Sequence, residues 1–134
     1  MFRQQLFLPL LPTLAACIVT LSGCAPAVPV QRARLTVPAD PQITRVYVVQ
    51  QQVIVRLSSS YERRIADQSR WRVIGTLPQG QVFKPVDAVF TIEGRQIHEA
   101  WLVVKDGRLT GFYLPGEEHF SPLAPSVSLT FGEP

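Results

Sequence analysis

The chain has 134 residues, with 13 Lys and Arg against 10 Asp and Glu and a formal net charge of +3. That length leaves room for one small domain. The two signs of charge are interspersed, and the closest approach to a basic stripe is Arg63-Arg64 with Arg70 and Arg72, a solvated face or a contact for anionic headgroups rather than a nucleic-acid footprint. No nucleic acid is expected as a partner.

Met1-Phe2-Arg3 opens the chain with one cation, and Leu6 to Leu21 follows as an uncharged apolar run broken by Pro9 and Pro12. A membrane span needs roughly 20 apolar residues, so this run reads as an export signal, ending in small residues suited to cleavage. Its end, Leu21-Ser22-Gly23-Cys24, resembles the lipobox of bacterial lipoproteins. The resemblance covers residues 1 to 24 and implies cleavage between Gly23 and Cys24, a diacylglyceryl thioether on Cys24 and acylation of the new terminus. Two or more acyl chains, at about 0.8 kcal/mol per buried methylene, anchor stably where one holds marginally. Ala25 stands where an Asp would signal inner-membrane retention in Gram-negative lipoproteins, which favours the outer membrane, facing the periplasm. Cys17 leaves with the leader and Cys24 is consumed by lipid, so no thiol remains for an internal disulfide, a Cys-ligated metal or a Cys nucleophile.

Residues 24-41 contain Pro26, Pro29, Pro38 and Pro41. The segment cannot hold a helix and predicts an extended tether, reaching on the order of 50 Å at about 3.1 Å per residue. A single β domain is expected over 42-134. Val46 to Val49 and Val53 to Leu57 are β-branched runs flanking Gln50-Gln51-Gln52, which suits a hairpin or one long bent strand. Ser60 to Ala66 predicts a short capped helix, the one helical candidate after the leader.

Arg70 to Leu77 alternates, placing Trp71, Val73 and Leu77 on one face. Pro78-Gln79-Gly80 turns the chain into a short strand over Gln81 to Lys84, and Val86 to Ile92 predicts another. Glu93-Gly94 and Asp106-Gly107 each separate two β-runs and predict two-residue hairpin loops. That register sets Trp101 between Val86 and Phe112. It groups Val86, Ala88, Phe90, Ile92, Ile97, Trp101, Val103, Phe112 and Leu114 on the core face, with Val89, His98, Ala100, Leu102, Val104, Leu109 and Tyr113 opposite. A one-residue slip exchanges the two sets. Pro115 to Leu123 reads as a loop and Val127 to Phe131 as a last strand. The fold class expected is therefore mainly β: a small antiparallel meander forming a sandwich or partly open barrel, with one short helix near residues 60-66.

Three constellations could carry chemistry. His98-Glu99 with Glu117, Glu118 and His119 offers metal-ligand types, but strand neighbours point to opposite sides, so His98 and Glu99 do not readily share an ion; no metal or other cofactor is expected beyond the lipid on Cys24. Glu99 falls on the apolar face in the register above, where a carboxylate needs a partner such as Arg72 or Arg108 unless it lies at a wet margin. Ser58 to Ser60, Ser121 and Ser126 with either His lack a nucleophile-elbow pattern, and there is no glycine-rich phosphate loop. The expected role is non-catalytic: a membrane-anchored structural or accessory subunit of an envelope assembly of the secretion, conjugation or appendage type. Its partners are the lipid bilayer and an envelope protein, the latter added at edge strands around Val46 to Leu57 or Val127 to Phe131. The alternative is a carrier or inhibitor holding a small ligand, glycan or foreign enzyme in a pocket lined by Trp71, Trp101 and Tyr113, with His98 nearby.

Overall fold

The computed structural model describes residues 9, 24, 26–40 and 45–134. The leader and its cleavage motif, Ala25 and the expected domain start near Gln42 lie outside the described residues, apart from Pro9 and Cys24, the latter exposed. Among the described residues twelve strands follow in order: β1 Gln31–Arg32, β2 Val46–Val49, β3 Val53–Arg56, β4 Glu62–Ile65, β5 Arg70–Leu77, β6 Gly80–Pro85, β7 Thr91–Glu93, β8 Ile97–Glu99, β9 Trp101–Lys105, β10 Arg108–Leu114, β11 His119–Ser128 and β12 Phe131–Gly132. Eight of them form one antiparallel sheet in the order β1-β11-β10-β9-β6-β5-β2-β12, and β3/β4 and β7/β8 are separate hairpins. The expected antiparallel β architecture is what the chain builds. It is a sandwich of one large sheet and two small hairpins, not closed into a barrel.

The helix expected over residues 60-66 is corrected to a strand. Val53 faces Ile65 and Val55 faces Arg63 across β3 and β4, and Val55 and Ile65 are both 1% exposed while Ile54 and Arg64 face water. This is period-2 burial, and the apolar pair on one face outweighs the local capping signal of Ser60. Ser60 instead takes a positive φ of 68° in a turn closed by Leu57 N–H donating to Tyr61 O at 2.8 Å. The β2 and β3 runs make neither a hairpin with each other nor a single strand. β2 pairs β5 while β3 crosses to the second layer and pairs β4.

Two bulges rewrite the expected faces. The Asp106-Gly107 loop has two residues as expected, with φ of 51° and 72° and Arg108 opposite Lys105. The β10 ladder then shifts between Leu109 and Gly111, so Trp101 lies opposite Tyr113 instead of Phe112. An extra residue in one strand flips everything beyond it. Leu102, Val104, Leu109, Phe112 and Leu114 consequently share the main core, whereas Val103, Trp101 and Tyr113 belong to the other face. A similar shift in β5 between Val73 and Gly75 leaves Trp71 in the main core and moves Leu77 to the second. Around Glu93 the register is also corrected: Glu93 pairs Ile97 across a three-residue loop, Val86 to Phe90 form no ladder, and Ile97 is 67% exposed rather than core. Part of the loop expected over 115–123 is strand, since Phe120 and Ser121 pair Tyr113 and Phe112.

The main core lies between the layers, where Val55, Leu57, Ile65 and Ile92 of the hairpins meet Val49, Trp71, Phe83, Leu102, Phe112 and Leu114 of the large sheet. The hairpins are joined by side chains: Ser59 Oγ donates to Glu93 O at 2.8 Å and Arg63 Nε to Thr91 O at 2.7 Å. The second face buries Leu77, Val82, Val103, Tyr113 and Phe120, and it is covered by Ala33 and Leu35 of the leading segment. That segment, expected to stand away as a tether, lies on the domain through β1 and through paired backbone bonds between Thr36 and Thr76. Gly75 makes this approach possible, for a Cβ there would lie 2.5 Å from Thr36 O.

Candidate functional site

The site with the most distinctive chemistry is an open cleft of about 330 Å³ between β4, the 66–69 turn and the irregular segment before β7. That volume sits at the lower end of the range for small-ligand clefts, about 300 to 1,000 Å³. Trp71 forms its floor, 2% exposed, with its indole Nε1 donating to Ser69 Oγ at 2.9 Å. The 66–69 turn is fixed against β2, because Gln68 N–H donates to Val49 O at 2.8 Å and Val49 N–H to Ser69 O at 2.9 Å. Phe90 meets Trp71 edge to face, ring centroids 5.4 Å apart.

The rim is cationic. Strand alternation on β4 turns Arg63 toward Phe90, with its guanidinium carbon 4.2 Å from the ring centroid. Its Nε is committed to Thr91 O, while its terminal nitrogens make no hydrogen bond among the described residues. A guanidinium stacked on a ring and tied at Nε keeps a fork free for a carboxylate, with little ordering entropy left to lose. Arg64 is exposed and makes no ion pair among the described residues. Arg70 meets Asp87 at 3.3 Å, an exposed pair that contributes little in water. Ala88 and Val89, the latter 71% exposed, add apolar surface. The arginines of the rim lie beside the apolar surface of Trp71, Phe90 and Val89, an arrangement that suits a carboxylate next to an apolar group.

The aromatic residues expected in one pocket are divided by the sheet. Trp71 is in the main core, whereas Trp101 and Tyr113 pack together on the other face, ring centroids 5.8 Å apart. Lys84 Nζ lies 5.2 Å from the Trp101 ring centroid. Burial, then the nearby Glu118 carboxylate, raises the Tyr113 phenol above its ordinary range. Glu99, expected on the apolar face, is exposed and accepts a bond from Trp101 Nε1 at 3.2 Å; the expected Arg108 is committed to Ser126 and Ser128. The wet-margin alternative for Glu99 is the one observed.

His98 Nδ1 lies 2.9 Å from Glu117 Oε1, so the 115–118 turn does reach β8. Among the described residues no three His, Cys, Asp or Glu side chains gather as a metal site. The pair lines a groove of about 310 Å³ with Val28, Val30, Arg95 and His119. Ser59 donates to a backbone carbonyl, Ser126 accepts from Arg108, and Ser121 is buried. No hydrogen bond joins the candidate serines to either His among the described residues.

Sequence reasoning singled out Arg63, Arg64 and Arg70 as a basic cluster but not their relation to Phe90 and Trp71. The available signal was the alternation Glu62-Arg63-Arg64-Ile65, which as a strand sends Arg63 and Ile65 to the same side. Comparison with protein-family models, with curated proteins and with solved structures finds no match for this chain.

Proposed function

We propose that this chain is a lipid-anchored periplasmic lipoprotein that serves as a non-catalytic structural or accessory subunit of an envelope assembly, of the secretion, conjugation or appendage type. The observation that carries the reading is the combination of the lipobox Leu21-Ser22-Gly23-Cys24 with a domain whose interior is filled by side chains. Val49, Val82, Leu102, Val103 and Leu114 are fully buried. What the domain offers a partner is surface: the arginine-rimmed cleft floored by Trp71 and Phe90, and the edge strand β12 at one end of the large sheet. Acidic, apolar partner segments suit the first, and strand addition suits the second.

The test is metabolic lipid labelling and membrane fractionation of the wild type and Cys24→Ala, followed by in-cell crosslinking. The expected result is label and outer-membrane fractionation that depend on Cys24, with one envelope protein captured in fixed ratio by the anchored form alone. Unchanged labelling in Cys24→Ala removes the anchor from the reading. The same Trp71 cleft supports the alternative, a carrier or inhibitor, in which case the anchored protein is recovered as a lone monomer and a small ligand or foreign enzyme occupies the cleft.

A further inference from the structure

The leading segment bears on how an anchored form would be oriented. Val28 is 6% exposed and belongs to the main core, so the chain joins the domain at residue 28 instead of near residue 42. Gly94, in the loop between β7 and β8, shows how closely: a Cβ there would lie 2.7 Å from Val28 Cγ2, 2.9 Å from Val28 N and 3.1 Å from Pro26 O. Further along, Gln31 and Arg32 pair with β11, Ala33 N–H donates to Glu118 O at 3.0 Å, and Thr36 and Thr76 exchange backbone bonds of 3.0 and 2.9 Å. Cys24 precedes Pro26 by two residues, which span at most about 7 Å when extended. The lipid-bearing residue and the 94–97 tip are therefore close neighbours.

The composition of this end fits a bilayer surface. Among residues 26–30 and 94–97 the one charged side chain is Arg95, and Val30 and Ile97 are large apolar residues at 46% and 67% exposure. Glu117, the carboxylate of the adjoining groove, is engaged by His98. We infer that the Gly94–Ile97 tip, with residues 26–30 beside it, is a membrane-contact surface that sits in the headgroup layer of a phospholipid bilayer. Ile97 and Val30 lie toward the acyl boundary and Arg95 reaches phosphate. The inference rests on the lipidation of Cys24 proposed above. The opposite end of the domain then faces the aqueous side: Leu114 lines the groove beside Val28, and β10 carries the chain from there to Arg108, about 20 Å at strand rise.

The experiment uses the full lipidated protein in vesicles of phosphatidylethanolamine and phosphatidylglycerol, with a single thiol introduced as Gln96→Cys or Lys105→Cys and labelled with an environment-sensitive fluorophore. Lipids brominated near the headgroup end of their chains serve as quenchers. The expected result is loss of most of the fluorescence at Gln96→Cys and little loss at Lys105→Cys. Adding Val28→Asp releases the segment, and it is expected to abolish the quenching at position 96 while the protein still floats with the vesicles. Acylated, floating protein with neither position quenched overturns the orientation alone, as does quenching at position 96 that survives Val28→Asp. A mature N-terminus without acyl chains, in protein that does not float, overturns the lipoprotein reading and the orientation with it.

Discussion

Ile65→Ala tests the two-layer architecture at the point where local sequence signals argued for a helix. Ile65 is 1% exposed and packs in the main core with Val55, Leu57 and Trp71. Removing its side chain beyond Cβ forfeits transfer free energy and leaves a cavity between hairpin and sheet, which costs about 2 to 5 kcal/mol. A loss of about 3 kcal/mol is a large share of the roughly 5 to 15 kcal/mol holding a domain of this size. At a urea m-value of about 1 to 3 kcal/mol/M it lowers the midpoint by about 1 to 3 M. Ile54→Thr, on the outer face of the same hairpin and 58% exposed, is expected to change stability by no more than about 0.5 kcal/mol. The assay is urea unfolding of residues 24–134 with Cys24→Ser, followed by tryptophan fluorescence, because Trp71 lies in the same cluster. Equal, small effects of the two substitutions would refute the strand alternation of Glu62–Ile65 and the packing built on it.

Gly107→Ala meets open space but must hold a φ of 72°, so it is expected to cost about 1 kcal/mol in the same unfolding assay. Gly111→Val places a side chain where even a Cβ would lie 2.7 Å from the Phe120 ring and press on the Ser121 carbonyl; it is expected to destabilise by at least about 2 kcal/mol, or to prevent soluble expression. Tyr113 has a raised pKa, from burial first and Glu118 second, so above about pH 10 the unfolded state gives up its proton before the folded state does. Stability is then expected to fall as pH climbs through the unfolded value and to level off above the folded one, and Tyr113→Phe is expected to flatten that alkaline slope in urea midpoints measured from pH 8 to 11. At the cleft, Arg63→Glu is expected to abolish the anchor-dependent crosslink to the proposed envelope partner while leaving the proposed lipid labelling at Cys24 unchanged, read by fractionation and crosslinking in parallel.

Much of the fold was legible from local chemistry. β-branched runs, the Pro78-Gln79 and Asp106-Gly107 turns and the alternation of Arg70 to Leu77 gave an antiparallel architecture, because these signals are local and the strands obey them. The assignment of faces was not legible, since it depends on shifts in the β5 and β10 ladders, and a bulge leaves little trace in hydrophobic pattern while inverting every side chain beyond it. The sheet thus separates Trp101 from Trp71, which the sequence pattern alone places in one pocket. The helix over 60-66 failed because Ser60 can cap a helix or occupy a left-handed turn position, and burial of Ile65 opposite Val53 decided between them. The tether failed for a related reason. Pro-rich composition rules out a helix, but it does not prevent Val28 and Leu35 from packing on a sheet where Gly94 and Gly75 leave room.

The central claim is that the domain works as an anchored surface for another envelope protein, and a photo-crosslinking residue at Val89, exposed at the rim of the Trp71 cleft, tests it most directly. In cells carrying the lipidated protein the expected result is one crosslinked species of constant mass and stoichiometry, lost in Cys24→Ala and absent when the crosslinker is moved to Lys105. Crosslinks that form equally without the anchor, or none at either position, would contradict the claim.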